Sequence, residues 1–102
     1  MFGPCKSGHW TFQDCIRSFA HLEPGSVYIV TKEFTDYDGT VHCTGEEWQF
    51  LGYNYSYYQD GLSLFVSFDN KNEWHIRLSN QKEEQGPLID QIDTYLACIG
   101  RQ

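Results

Sequence analysis

The chain has 102 residues, which allows a single domain over 1–102 and no second core. Fourteen acidic residues against seven basic ones leave a net charge of −7. That excludes a general nucleic-acid binder, which needs a basic stripe to displace phosphate counterions, and it excludes an anionic membrane surface as the main partner. Seven Phe, seven Tyr and three Trp supply the bulk for a packed core, so the chain does not read as disordered.

The opening stretch Met1-Phe2-Gly3-Pro4-Cys5-Lys6-Ser7-Gly8 has no apolar run of the kind a secretory leader carries, and the expected location is cytoplasmic. Four cysteines, Cys5, Cys15, Cys43 and Cys98, permit three pairings that sequence does not choose between, and a cytoplasmic setting favours free thiols. From Thr11 to Leu22, apolar Phe12, Cys15, Ile16, Phe19 and Ala20 recur at helical spacing, with Thr11 placed as cap. Glu23-Pro24-Gly25 stops that helix. Val27–Thr31 then reads as a strand and Asp36-Tyr37-Asp38-Gly39 as a turn.

Glu47–Leu51 reads as a second strand, with Gly52 at a bulge or bend before Tyr53. Asp60-Gly61 signals a hairpin into Leu62–Phe68, where Leu62, Leu64, Val66 and Phe68 share a face. After a turn at Asp69–Asn72, Trp74, Ile76 and Leu78 alternate with Glu73, His75 and Arg77, as in a strand with one wet side. Pro87 opens a closing helix with Leu88, Ile89, Ile92, Leu96 and Ile99 as its stripe, which puts Cys98 on an apolar helix face. The expectation is an α+β domain: a small curled antiparallel sheet or SH3-like open barrel of four or five strands, flanked by N-terminal and C-terminal helices.

The run Phe34-Thr35-Asp36-Tyr37-Asp38-Gly39, then His42, then Gly45-Glu46-Glu47-Trp48-Gln49-Phe50-Leu51-Gly52, then Tyr58-Gln59-Asp60-Gly61-Leu62 resembles a family of small, mostly bacterial domains of unknown function. The resemblance covers about the central half of the chain and brings no catalytic residues with it. In size and acidity the chain is also similar to bacterial immunity proteins, which neutralise a cognate toxin.

Four constellations invite chemistry. Cys5, His9 and Cys15 lie close together and His42 adjoins Cys43, but no tight Cys or His pair of zinc-site spacing occurs. Cys43 beside His42 suggests an activated thiol, yet neighbours on a strand point to opposite faces, and neither a nucleophile elbow nor a phosphate loop is present. Asp36 and Asp38 suit turn geometry, and the calcium-loop pattern is missing; Glu46 is expected to cap amides of a neighbouring loop. The fourth is the tyrosine cluster Tyr53, Tyr55, Tyr57 and Tyr58. Tyrosine offers large contact area at low rotamer entropy, which suits interfaces.

If that face is exposed, it combines with Asp36, Tyr37, Asp38, Glu46, Glu47 and Asp60 into an acidic, aromatic surface complementary to Arg and Lys. The expected function is therefore a non-enzymatic protein-binding module without cofactor or metal. Its partner would be a basic toxin or effector occluded in the manner of an immunity protein, with homodimerisation left open. The alternatives are a small enzyme using Cys43, His42 or the carboxylates, and an SH3-like peptide-binding module with Trp48 or Trp74 partly exposed.

Overall fold

The computed structural model describes residues 1–6, 18, 19, 21–56, 61–79 and 85–101. Among the described residues there are eight strands: β1 (Phe2–Lys6), β2 (Ser26–Val30), β3 (Phe34–Thr35), β4 (Val41–His42), β5 (Glu47–Ser56), β6 (Gly61–Ser67), β7 (Asn72–Ser79) and β8 (Leu96–Arg101). Two short helices, α1 (Gln85–Asp90) and α2 (Ile92–Tyr95), precede β8. Six strands form one antiparallel sheet in the order β1-β7-β6-β5-β2-β8, and β3 pairs with β4 in a separate hairpin.

The centre of the sheet follows from alternation. In the β6–β7 ladder Leu62 faces Leu78, Leu64 faces Ile76 and Val66 faces Trp74, so one face of both strands is apolar throughout. The same face continues across β5 through Phe50 and Trp48 to Tyr28 and Val30 of β2. Leu88, Ile92, Leu22 and Phe34 pack over it from the helices, the segment before β2 and the hairpin. The β5–β6 register slips between Phe50 and Gly52, at the glycine where the sequence places a bulge or bend. The β6–β7 turn is tied by Asp69, whose Oδ1 accepts the amides of Lys71 and Asn72, while Asn70 takes φ +62°.

The terminal helices of the expected α+β fold are corrected by the structure: the fold is mostly antiparallel sheet, with α1 and α2 as its only helices among the described residues. The expected closing helix ends after α2, and Leu96, Ala97 and Cys98 pair with Val30, Ile29 and Tyr28. The reason is backbone satisfaction. The outer side of β2 would otherwise leave its amides and carbonyls unpaired, and a ladder from β8 satisfies them where another helical turn would not. Cys98 is accordingly exposed on β8, off any helix face.

At the other end, residues 11–17 and 20 of the expected N-terminal helix lie outside the described residues, Cys15 among them. Its last turn is not helical: Phe19 and Leu22 bridge each other through paired backbone hydrogen bonds of 2.9 and 2.8 Å. The SH3-like barrel is corrected too. The end strands of the sheet, β1 and β8, are not paired with each other, so the sheet stays open. Strand β1 itself was not expected. It holds Gly3 at φ +129°, where an added Cβ would lie 2.8 Å from both the Glu73 carbonyl and the Trp74 ring. Glu73, expected on a wet face, is buried and pairs with Cys5 of this strand.

Candidate functional site

The β3–β4 hairpin carries the densest set of polar side chains. Its turn is built by Asp36, whose Oδ1 accepts the amides of Asp38 and Thr40 at 3.0 Å each, with Gly39 following at φ +89°. The other oxygen, Oδ2, accepts from His42 Nε2 at 2.9 Å. The opposite ring nitrogen, Nδ1, donates to Glu46 Oε2 at 2.6 Å, and the same oxygen accepts from Trp48 Nε1 at 3.3 Å. The Phe34 ring stacks on the imidazole, with centroids 4.7 Å apart and 19° between planes.

His42 and Asp36 have no exposed side-chain surface. The Met1 ammonium completes the cluster, 2.9 Å from Asp36 Oδ2 and 3.0 Å from Thr40 Oγ1. Alone, burial would lower the pKa of His42. Hydrogen bonds and charge from Glu46 and Asp36 overcome it and hold the group above its ordinary value. Burial likewise works against ionised Asp36, but the bonds from His42, the ammonium and the Thr40 amide keep its carboxyl below the usual range. The two shifts agree on one state, an imidazolium between two carboxylates. In that state both ring nitrogens are engaged as donors, no lone pair is left to take a proton, and no surface is open to a substrate. The group acts as a charged clasp across the hairpin.

Outside the clasp lies an exposed ridge. Arg77 of β7 holds both carboxylate oxygens of Asp38 and lies 5.1 Å from the ring centroids of both Tyr37 and Phe2. Those rings are 47% and 45% exposed. The Tyr37 amide donates to the Arg77 carbonyl at 2.8 Å, so the hairpin tip continues the outer edge of β7 beyond the start of β1.

The expected contact residues divide accordingly. Tyr37, Asp38 and Glu47 are exposed, whereas Asp36 is buried in the clasp and is not available to a partner. Glu46 is half-buried, and its described side-chain contacts are His42 and Trp48 instead of the loop amides expected for it. Tyr53 is half-buried, packed on the core and on Phe19 at 4.9 Å between ring centroids. Tyr55 is placed by its backbone alone, opposite Leu62. Tyr57, Tyr58 and Asp60 lie outside the described residues, as does His9.

Cys43, the residue after β4, is exposed while His42 is buried, so the thiol is not paired with the imidazole. Among the described residues no cluster of His, Cys, Asp and Glu is arranged to hold a metal ion, and no helix is long and apolar enough to cross a membrane. Trp48 is buried and Trp74 half-buried against Phe68. Sequence reading missed the clasp and the ridge. The signal for the clasp was available as a histidine flanked by Asp36 six residues before it and Glu46 four residues after it, across a turn. Nothing in the sequence brought Phe2 or Arg77 to Tyr37.

A family model described as a domain of unknown function, DUF3601, matches residues 13–101. The chain belongs to that family. The match bears out the resemblance read from the central motifs, and it takes in Asp36, His42 and Glu46 of the clasp and every ridge residue except Phe2. The chain is also similar to a solved structure, an integron cassette protein from the mobile metagenome of Vibrio cholerae. The two share 29% identity over 84% of this chain and 94% of that one, with a TM-score of 0.78. No curated protein matches the chain.

Proposed function

We propose that this protein is a non-enzymatic binding module whose contact surface is the ridge of Tyr37, Asp38, Arg77 and Phe2, and that its partner is a basic protein. The observation that carries this reading is two half-exposed aromatic rings on one guanidinium that Asp38 holds, next to a hairpin closed by a buried ionic clasp. A large aromatic ring immobilised before binding loses little entropy on contact, and Tyr and Arg are the side chains most enriched where interfaces concentrate their energy. With Asp38 neutralising Arg77, the ridge adds no positive charge to a chain of net charge −7, and the long-range field steers a cationic partner towards it. Occlusion of a secreted toxin, as by an immunity protein, is one form of this role that a small acidic chain suits.

The test is affinity capture from the producing cell on immobilised wild type and on Tyr37→Ala, with equal circular dichroism confirming that both are folded. Support is a basic protein retained by wild type, released as salt is raised, and reduced at least about tenfold on the variant. Retention that ignores both salt and Tyr37 overturns the reading, as does the absence of any specifically retained protein.

A further inference from the structure

Between β3 and the two helices runs a groove of about 210 Å³, lined by Glu33, Phe34, Thr35, Leu88 and Tyr95. Its volume falls below the roughly 300 Å³ at which small-molecule pockets begin, so it has room for one side chain. Leu88 and Phe34 are buried, and the Phe34 and Tyr95 rings meet edge to face at 84°, with centroids 6.1 Å apart. Glu33 is exposed and makes no ion pair among the described residues. Lys32 already holds its ammonium 4.8 Å from the Tyr95 centroid, so in the free protein this ring meets a cation.

We propose that this groove takes an arginine side chain of the basic partner. A mostly polar lining over the buried Leu88 and Phe34 suits an amphipathic side chain, the Tyr95 ring suits the flat guanidinium, and the Glu33 carboxylate supplies the counter-charge. An anionic group would instead meet Glu33. Lys32 is then a resident competitor, repelling the incoming charge and contesting the same ring. The proposal rests on the reading that the partner is basic, but it places the recognition of charge here and the aromatic anchor on the ridge.

The test needs no partner. N-acetyl-arginine methylamide is titrated into the whole chain while the ring proton signals of Tyr95 and Phe34 are followed by NMR, with the citrulline analogue as the neutral isostere. Saturable shifts for the arginine probe and none for citrulline are expected. Glu33→Gln should weaken binding about fivefold. Lys32→Ala should tighten it severalfold, whereas Lys71→Ala, which removes the same charge from the exposed β6–β7 turn, should not. The proposal is overturned by no saturable shift up to about 50 mM probe, by an equal response to citrulline, or by equal effects of the two lysine variants. A partner captured through Tyr37 with a silent Tyr95 refutes the groove alone. A saturable arginine response with no captured partner refutes the binding-module reading alone.

Discussion

Two histidines in neighbouring parts of this molecule are held in opposite charge states. His42, in the hairpin, lies between two carboxylates and is stabilised as imidazolium. His75, on β7, packs against the rings of Phe65 and Phe2 at 5.1 and 5.9 Å, and burial together with the Arg77 guanidinium pushes it down to about 4. The hairpin is two short strands whose geometry is set by charge, and the sheet beside it is a long ladder set by apolar packing. The contrast shows where cooperativity should end. Apolar burial is shared across β2, β5, β6 and β7, whereas the clasp acts only between the residues it touches.

The largest effect expected is on the sheet side. Phe50 is wholly buried where the β5–β6 register slips, and Phe50→Ala should cost about 4 kcal/mol by leaving a cavity. Denaturant unfolding should show this as a lower midpoint in every probe at once. A loss confined to one probe would mean that the sheet is not a single cooperative unit.

Next comes the clasp. Asp36→Asn keeps an oxygen for the turn amides but turns an NH₂ towards His42 and the Met1 ammonium, setting donors against donors. A penalty of about 2 kcal/mol is expected. It should fall on the hairpin, with faster hydrogen exchange at Asp38, Thr40 and His42 and unchanged protection at Leu64 and Ile76. Equal acceleration at Leu64 would show that hairpin and sheet open together, and the contrast drawn above would fail.

How much of this was legible beforehand follows the same division. The ladder of β5, β6 and β7 could be read because Leu62, Leu64 and Val66 alternate, and Trp74, Ile76 and Leu78 answer them. The stretch from Leu96 to Ile99 could not, because its apolar residues satisfy a helical stripe equally well; the unpaired side of β2 decides, and that demand is non-local. Asp36 as a turn residue was visible from its local sequence. Its second role, facing His42, depends on the hairpin closing so that carboxylate and imidazole meet. The ridge was the least legible part, since Phe2, Tyr37 and Arg77 come from three separate strands or turns and each looks ordinary alone.

A pH series separates the two histidines by sign. His42 is raised in the fold, so its contribution is complete below pH 6.5 and is lost as pH climbs through the folded value. Asp36 is lowered, so its contribution holds above 3.8 and is lost as pH falls through its folded value. His75 is lowered, so its contribution is complete above 6.5 and declines as pH falls towards 4. The groups facing His42 are Asp36, Glu46 and, through Asp36, the Met1 ammonium; those acting on His75 include Arg77, Asp38 and the ammonium. Going from alkaline solution to pH 6.5 should therefore protect the hairpin amides. Going on from 6.5 to about 5, above the ordinary carboxylate range, should begin to weaken the β1–β7 side while leaving the hairpin unchanged. Imidazole NMR signals check the assignment, which fails if His42 titrates below His75.

The smallest effect is the one that bears most on function. Asp38 and Arg77 form a bidentate pair at the surface, and such pairs contribute at most about 1 kcal/mol, so Asp38→Asn should hardly move the unfolding midpoint. What it removes is the counter-charge that fixes the guanidinium between the Tyr37 and Phe2 rings, and a freed Arg77 has no reason to stay stacked on both. Ring-current shifts on the Arg77 δ protons report that stacking directly, and they should diminish in Asp38→Asn at unchanged stability. If the shifts persist, the rings alone hold the guanidinium, and the Asp38 ion pair does not shape the ridge.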